Sequence, residues 1–192
     1  MNRTGIINYL ITKYCYNKYL EIGVQKRNQN FEKIICKYKQ CVDPDSKAKA
    51  DFILTSDDFF AQNNETFDVV FIDGLHYCEQ VFKDVINSLK VLNKNGTIVC
   101  HDMLPINEIE QKREISYFWT GDCWKAWFKC RSIIDDIEMF VIDTDHGVGI
   151  IRQGKQKKIS IDEELTWEFF CNNKKLMNII TVEQFLNKDD IT

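Results

Sequence analysis

The sequence predicts an α/β fold: a mostly parallel, seven-stranded sheet between two layers of helices, with an antiparallel strand at its edge. Three observations lead there. Short apolar runs alternate with stretches of helical periodicity along the chain. The run at 67–72 is almost continuously apolar and β-branched, as a strand must be when helices cover both faces of a parallel sheet. Turn-forming residues stop run after run, at Gly23, Asp43-Pro44, Asp73-Gly74 and the segment 144–147.

Each element follows in order. Residues 1–16 read as an amphipathic lead-in helix. Residues 19–22 form a first strand that ends at Gly23, followed by a polar segment and a helix through Phe31, Ile34 and Ile35. A second strand at 40–42 stops before Pro44, which cannot continue inside a sheet. Residues 52–54 are a third short strand, and 67–72 a fourth near the sheet centre. Val81, Val85, Ile86, Leu89 and Leu92 recur at helical spacing, and Asn95-Gly96 stops that helix before a strand at 97–100. Trp124, Trp127, Phe128 and Arg131 fall on one helical face. Strands at 139–142 and 148–151 meet through a turn and form the antiparallel edge. The core spans about residues 15–152. A charged segment at 155–192 carries Trp167, Phe169 and Phe170, and the whole of 1–192 reads as a single domain.

Composition narrows the function. The chain has 192 residues, with 25 Lys and Arg against 29 Asp and Glu and a net charge of -4, and its longest basic run is the short one at 155–158. That balance argues against nucleic acid as a partner. Apolar runs such as 69–72 fall far short of the roughly 18–20 residues that span a bilayer, so no membrane span is expected. The amino terminus lacks the apolar core of an export signal. Eight cysteines include no Cys-x-x-Cys pair and read as reduced thiols of a cytoplasmic protein. Homo-oligomerisation is left open.

In open parallel sheets, ligands bind beyond the carboxyl ends of the strands. Glu21, Gly23, Asp43, Ser56, Asp57, Asp73, His76, His101 and Asp102 all lie at or just beyond the ends of predicted strands. Any one of them suits a turn or a helix cap, but five strand ends in succession mark a site. The first loop holds a single glycine where a dinucleotide needs a glycine-rich cradle for its pyrophosphate. A ligand without phosphate needs only one close approach of the backbone. Asp43, about 20 residues downstream, stands where a carboxylate reaches ribose hydroxyls. The pair favours an adenosyl ligand.

Tyr19-Leu20-Glu21-Ile22-Gly23, Val42-Asp43-Pro44, the run from Phe67 to Gly74 and the run from Gly96 to Asp102 resemble class I methyltransferases of Rossmann-like fold. The resemblance covers roughly residues 15–152 and implies S-adenosylmethionine as cofactor, with contacts from Glu21, Gly23, Asp43, Ser56, Asp57 and Asp73. Within that class, Asp73 with His76 and the pair His101-Asp102 are similar to metal-dependent sugar O-methyltransferases of macrolide biosynthesis. The segments 119–125 and 143–149 are similar to methyltransferases of bacterial surface-glycan synthesis. These likenesses imply a sugar or glycan-like acceptor and a divalent metal held by Asp73, Asp102 and His101. His76, one helical turn beyond Asp73, is the candidate general base by position. Trp119, Asp122, Trp124 and Lys125 could stack on and read a sugar acceptor, although ordinary helix packing explains at least two of the tryptophans in this stretch better.

The chain departs from the pattern twice. Gln25 stands where many relatives have a second glycine, and His101 stands where macrolide enzymes carry an acid. An imidazole shifts preference from magnesium toward manganese, iron or zinc. The same Asp and His set also suits a metal-dependent hydroxylase or hydrolase, and a catalytically silent binding domain is a further alternative. Transfer of a labelled methyl group separates the three.

Overall fold

Seven strands make one sheet in the order β2-β1-β3-β4-β6-β5-β7. They are β1 (Lys18–Ile22), β2 (Tyr38–Val42), β3 (Phe67–Ile72), β4 (Leu92–Cys100), β5 (Ile137–Ile142), β6 (Val148–Gln153) and β7 (Ile179–Ile180). The computed structural model describes residues 1–114, 117 and 119–188. Adjacent residues of β3 belong to opposite cores: Val70 and Ile72 pack on one face of the sheet, Val69 and Phe71 on the other. This two-sided burial is the physical reason for the uninterrupted apolar run.

The first face is covered by α2 (Ser56–Gln62), α3 (Cys78–Val91), α4 (Cys123–Ile133) and α5 (Trp167–Asn173). The second is covered by α1 (Arg3–Tyr14) and the short α6 (Val182–Leu186). Ile6, Ile7, Leu10 and Ile11 make up the buried stripe of α1, at the three- and four-residue spacing of one helical face. Asn2 caps that helix by accepting from the Gly5 amide.

The sheet is mostly parallel, with β6 antiparallel to both neighbours. That strand lies between β4 and β5, and the rim beyond β5 is completed by β7, which runs parallel to it. The segment after residue 155 therefore contributes a strand as well as helices, and its Phe169, Phe170 and Met177 are buried in the first core. Residues 52–54 do not make a full strand, because only Phe52 bridges to Val42. The helix expected through Phe31, Ile34 and Ile35 shortens to one 3-10 turn, Phe31–Lys33, with Ile35 exposed. Helix α3 stops at Val91, before Asn95-Gly96, and the register of β3 with β4 shifts between Phe67 and Val69. Gly96 passes so close to Asp68 that an added Cβ would lie 2.8 Å from its carbonyl oxygen, so this glycine serves an irregularity in β4.

Candidate active site

The order of strands reverses between β1 and β3, since β2 lies outside β1 and β4 lies outside β3. At the carboxyl ends of these four strands opens a cavity of about 760 Å³. Its wall includes Glu21, Gly23, Asp43, Ser56, Asp73, His76, His101, Asp102 and Trp119. The topology thus gathers most of the residues that follow the predicted strands into one place.

The β1 loop is tight. Gly23 has φ +83°, and an added Cβ would lie 2.3 Å from the Asp73 carbonyl oxygen. Gln25 holds a left-handed φ of 50°, the conformation a glycine takes without penalty, so the chain makes the expected turn with a residue that resists it. Gly23 donates its amide to Val42 O at 2.9 Å, while Val24 and Gln25 both donate to Asp43 Oδ2 at 2.9 Å. Asp43 Oδ1 accepts from the Asp45 amide. Asp43 therefore braces the loop, and the amides that would cradle a pyrophosphate are already engaged.

Glu21 is buried at the end of β1, where Tyr19 Oη donates to its Oε2 at 2.6 Å and Asn30 Nδ2 at 2.9 Å. Burial pushes its carboxyl from 4.5 up to about 7, against those two hydrogen bonds, which favour the charge. The folded chain holds this proton more tightly than the unfolded one. The resulting stability is complete below about pH 4.5 and is lost as pH rises through about 7, a contribution on the order of 3 kcal/mol. Glu21→Gln keeps the acceptor oxygen and removes the titration. Denaturation from pH 4.5 to 8 should show the parent losing stability relative to this variant. Parallel curves would place the ionisation elsewhere.

At the ends of β3 and β4 the ionisable groups converge. Asp73, His76 and Asp102 each offer an atom that lies within 4.8 Å of the other two. His76 stands between the carboxylates, with Nε2 3.3 Å from Asp73 Oδ1 and Nδ1 3.4 Å from Asp102 Oδ2. Burial alone would lower its pKa, but the hydrogen bond and charge of Asp73 and the charge of Asp102 outweigh it and hold it above the ordinary value. Burial would likewise raise Asp73, yet the neighbouring imidazoles draw it well below the usual carboxylate range. Asp102 has a left-handed φ of 61°, which turns its side chain toward the cluster.

His101 is buried beneath them. Its Nδ1 lies 3.1 Å from Asp102 Oδ2 and 3.3 Å from Asp73 Oδ1, while Nε2 lies 3.1 Å from Arg3 Nη1. Burial alone would lower the His101 pKa, but the charges of Asp73 and Asp102 and the contacts with Asp102 and Asp145 outweigh it and hold it well above the ordinary value. Sequence reasoning offered His101 as a third metal ligand beside Asp73 and Asp102; the structure sets both His101 and His76 against those two carboxylates.

The remaining expected contacts divide. Ser56 lines the cavity and accepts from Gln80 Nε2 at 3.0 Å. Asp57 faces α3, accepting from Gln80 and pairing with Lys83 at 2.9 Å. Trp119 lies flat against His76, with ring centroids 4.8 Å apart and planes inclined by 21°. Asp122 is spent on structure, because its Oδ1 accepts from the Cys78 amide at the start of α3 and its Oδ2 pairs with Arg113. Trp124 is fully buried against Phe128 and Phe170, and Lys125 rests over its ring. Arg131 ties α4 to the carbonyls of Leu176 and Lys157. Arg3, Asn30, Gln80, Thr120 and His146 also line the cavity and were missed. A cationic residue on the buried face of α1 was the one signal available for Arg3.

Residues 20–103 match a family model described as a methyltransferase domain. No curated protein sequence matches the chain. Among solved structures, an O-methyltransferase from Bacillus cereus in complex with SAH is similar at 12% identity and TM-score 0.57, covering 80% of this chain and 80% of that one. The O-methyltransferase TomG from Streptomyces achromogenes, of tomaymycin synthesis and in complex with SAM, is similar at 10% identity and TM-score 0.57, covering 79% of each chain. The MycE methyltransferase of mycinamycin biosynthesis, in complex with Mg, SAH and mycinamycin VI, is similar at 16% identity and TM-score 0.52, covering 84% of this chain and 52% of that one. The chain has the Rossmann-like methyltransferase fold, and the part that matches the family model spans its first four strands.

Proposed function

We propose, from the match of residues 20–103 to a methyltransferase domain model, that this chain is an S-adenosylmethionine-dependent O-methyltransferase acting on a hydroxyl of a sugar or glycan-like small molecule, with a divalent cation assisting. One observation carries the reading: the Asp73, His76 and Asp102 set stands in the same cavity as a β1 loop whose amides are closed to phosphate. The cavity wall bears Glu21, Asp43, Asp45, Asp73 and Asp102, a lining suited to a cationic sulfonium.

Glu21, Gly23, Asp43 and Ser56 face the cofactor in this reading. Asp43 acts mainly by holding the loop, with the rest of its accepting capacity left for a ribose hydroxyl. In this reading Asp73 and Asp102 would hold a divalent ion of the manganese or iron type, with the buried Nδ1 of His101, beside both carboxylates and without a hydrogen bond in good geometry, as the third donor, and His76 remains for the base. When bound, the cofactor supplies an electrophilic methyl group and the cation lowers the pKa of the acceptor hydroxyl. His76 would take the proton that the acceptor hydroxyl gives up. Trp119, stacked on that imidazole, offers a flat apolar wall for a sugar ring.

The 192 residues act as one unit in this reading, and the cytoplasm suits eight free thiols. Among the described residues, no helix is long and apolar enough to cross a membrane. Calorimetry should find binding of S-adenosylhomocysteine and none of NAD, and labelled methyl should reach a hydroxylated acceptor in a reaction that chelation stops and manganese restores. Binding of NAD in place of S-adenosylhomocysteine would overturn the cofactor. Undiminished turnover in chelator would remove the metal.

A further inference from the structure

One cation reaches the cavity from outside the strand ends. Arg3 is the only Lys or Arg among the described residues lining it, against five carboxylates. Its place is fixed by the fold. Arg3 precedes Ile6 and Ile7 by three and four residues on α1, so burial of those side chains turns Arg3 toward the sheet. The turn at 144–147 holds the start of the helix, with Asp145 Oδ2 accepting from the Arg3 amide at 2.8 Å and Thr144 Oγ1 donating to Met1 O at 2.6 Å.

The guanidinium is three-quarters buried and only partly used. Nη1 meets Asp145 Oδ1 and Oδ2 at 3.3 Å each and His101 Nε2 at 3.1 Å. Nε lies 3.8 Å from Asp73 Oδ2, too far for a hydrogen bond, and has no partner of its own. None of these contacts uses Nη2. Arg3 thus enters an otherwise acidic cavity with donors to spare, near Glu21 and Asp73.

We propose that Arg3 determines specificity by receiving the carboxylate of the methionyl end of the cofactor, while the acidic pair Glu21 and Asp73 receives its ammonium. The inference rests on the cofactor reading above. An amino-acid zwitterion presents one negative and one positive group a few ångströms apart. A lone guanidinium beside two carboxylates is the matching arrangement, because a charge-assisted hydrogen bond in a sheltered site is worth more than a neutral one. Without Arg3, the ligand carboxylate would enter a cavity of like charge.

The test compares S-adenosylmethionine with decarboxylated S-adenosylmethionine, which keeps the adenosine, sulfonium and ammonium. By calorimetry the parent protein should bind the full cofactor about ten- to a hundredfold more tightly than the decarboxylated one. In Arg3→Gln that ratio should collapse toward one, through loss of affinity for the full cofactor alone, and Arg3→Lys should restore part of it. Retained binding of the decarboxylated ligand also shows that the variant folds. Equal weakening of both ligands in Arg3→Gln would make Arg3 a brace for α1 and overturn the proposal. So would a parent protein that binds the two ligands equally, a result that needs no variant. A parent that binds neither has lost the cofactor reading itself, and the proposal with it.

Discussion

Replacing His76 by glutamine is expected to cut methyl transfer by about 10² to 10⁴ while leaving cofactor affinity unchanged. The expectation comes from position. His76 sits three residues beyond Asp73, between that carboxylate and Asp102, with Trp119 stacked on its ring. The segment 119–122 clamps it further. Asp122 donates its amide to His76 O at 3.1 Å, and an added Cβ at Gly121 would come within 2.0 Å of that oxygen. An imidazole held this way keeps one orientation, as a general base must. Glutamine preserves polarity and approximate length but cannot take the proton.

Three readouts separate the roles open to His76. Loss of a base lowers kcat, spares the cofactor Kd and the bound manganese, and removes the limb of the rate profile that falls at low pH. If manganese is lost with the side chain, His76 is a ligand and the base lies elsewhere. Unchanged turnover would place the residue in the packing of Trp119.

Gly23→Ala is expected to destabilise the fold by about 2 to 5 kcal/mol and to prevent cofactor binding. A left-handed residue with a Cβ costs about 1–2 kcal/mol, and forcing an extra methyl into a filled space about 1–3. Both apply at Gly23, because its φ is +83° and the new atom would lie 2.3 Å from Asp73 O and from Gly74 Cα, which are backbone and cannot swing aside. The adjacent Gly74 is an internal control. There the nearest atoms to an added Cβ are Ile22 Cγ2 at 3.5 Å and Ile22 O at 3.7 Å, ordinary contact distances. Urea denaturation of the two alanine variants should separate them clearly, and equal midpoints would mean that the β1 loop yields.

What the sequence alone decided was periodicity and punctuation. A strand buried on both faces has to be apolar throughout, so β3 was legible, as was the alternation that makes the sheet mostly parallel. Strand ends are local as well: Gly23, Asp43, Asp73 and Asp102 each follow a run that an adjacent turn stops, and the rule that ligands gather beyond carboxyl ends turned those positions into a site. Direction and partnership were decided only in three dimensions. Asp57 and Asp122 carry the same carboxylate as Asp73, yet one faces α3 and the other holds its first turn, because helices packed from elsewhere supply Lys83, Gln80 and the Cys78 amide. Residues 52–54 had the composition of a strand but only a single bridge to β2, while Ile179–Ile180, too short to show a period, became β7 because β5 offered it an unpaired edge. Arg3 lies 70 and 142 residues from Asp73 and Asp145, the carboxylates it pairs with. Only the seating of α1 on the second face of the sheet brings it there, since a charge joins a distant site when packing of its neighbours leaves it no other direction.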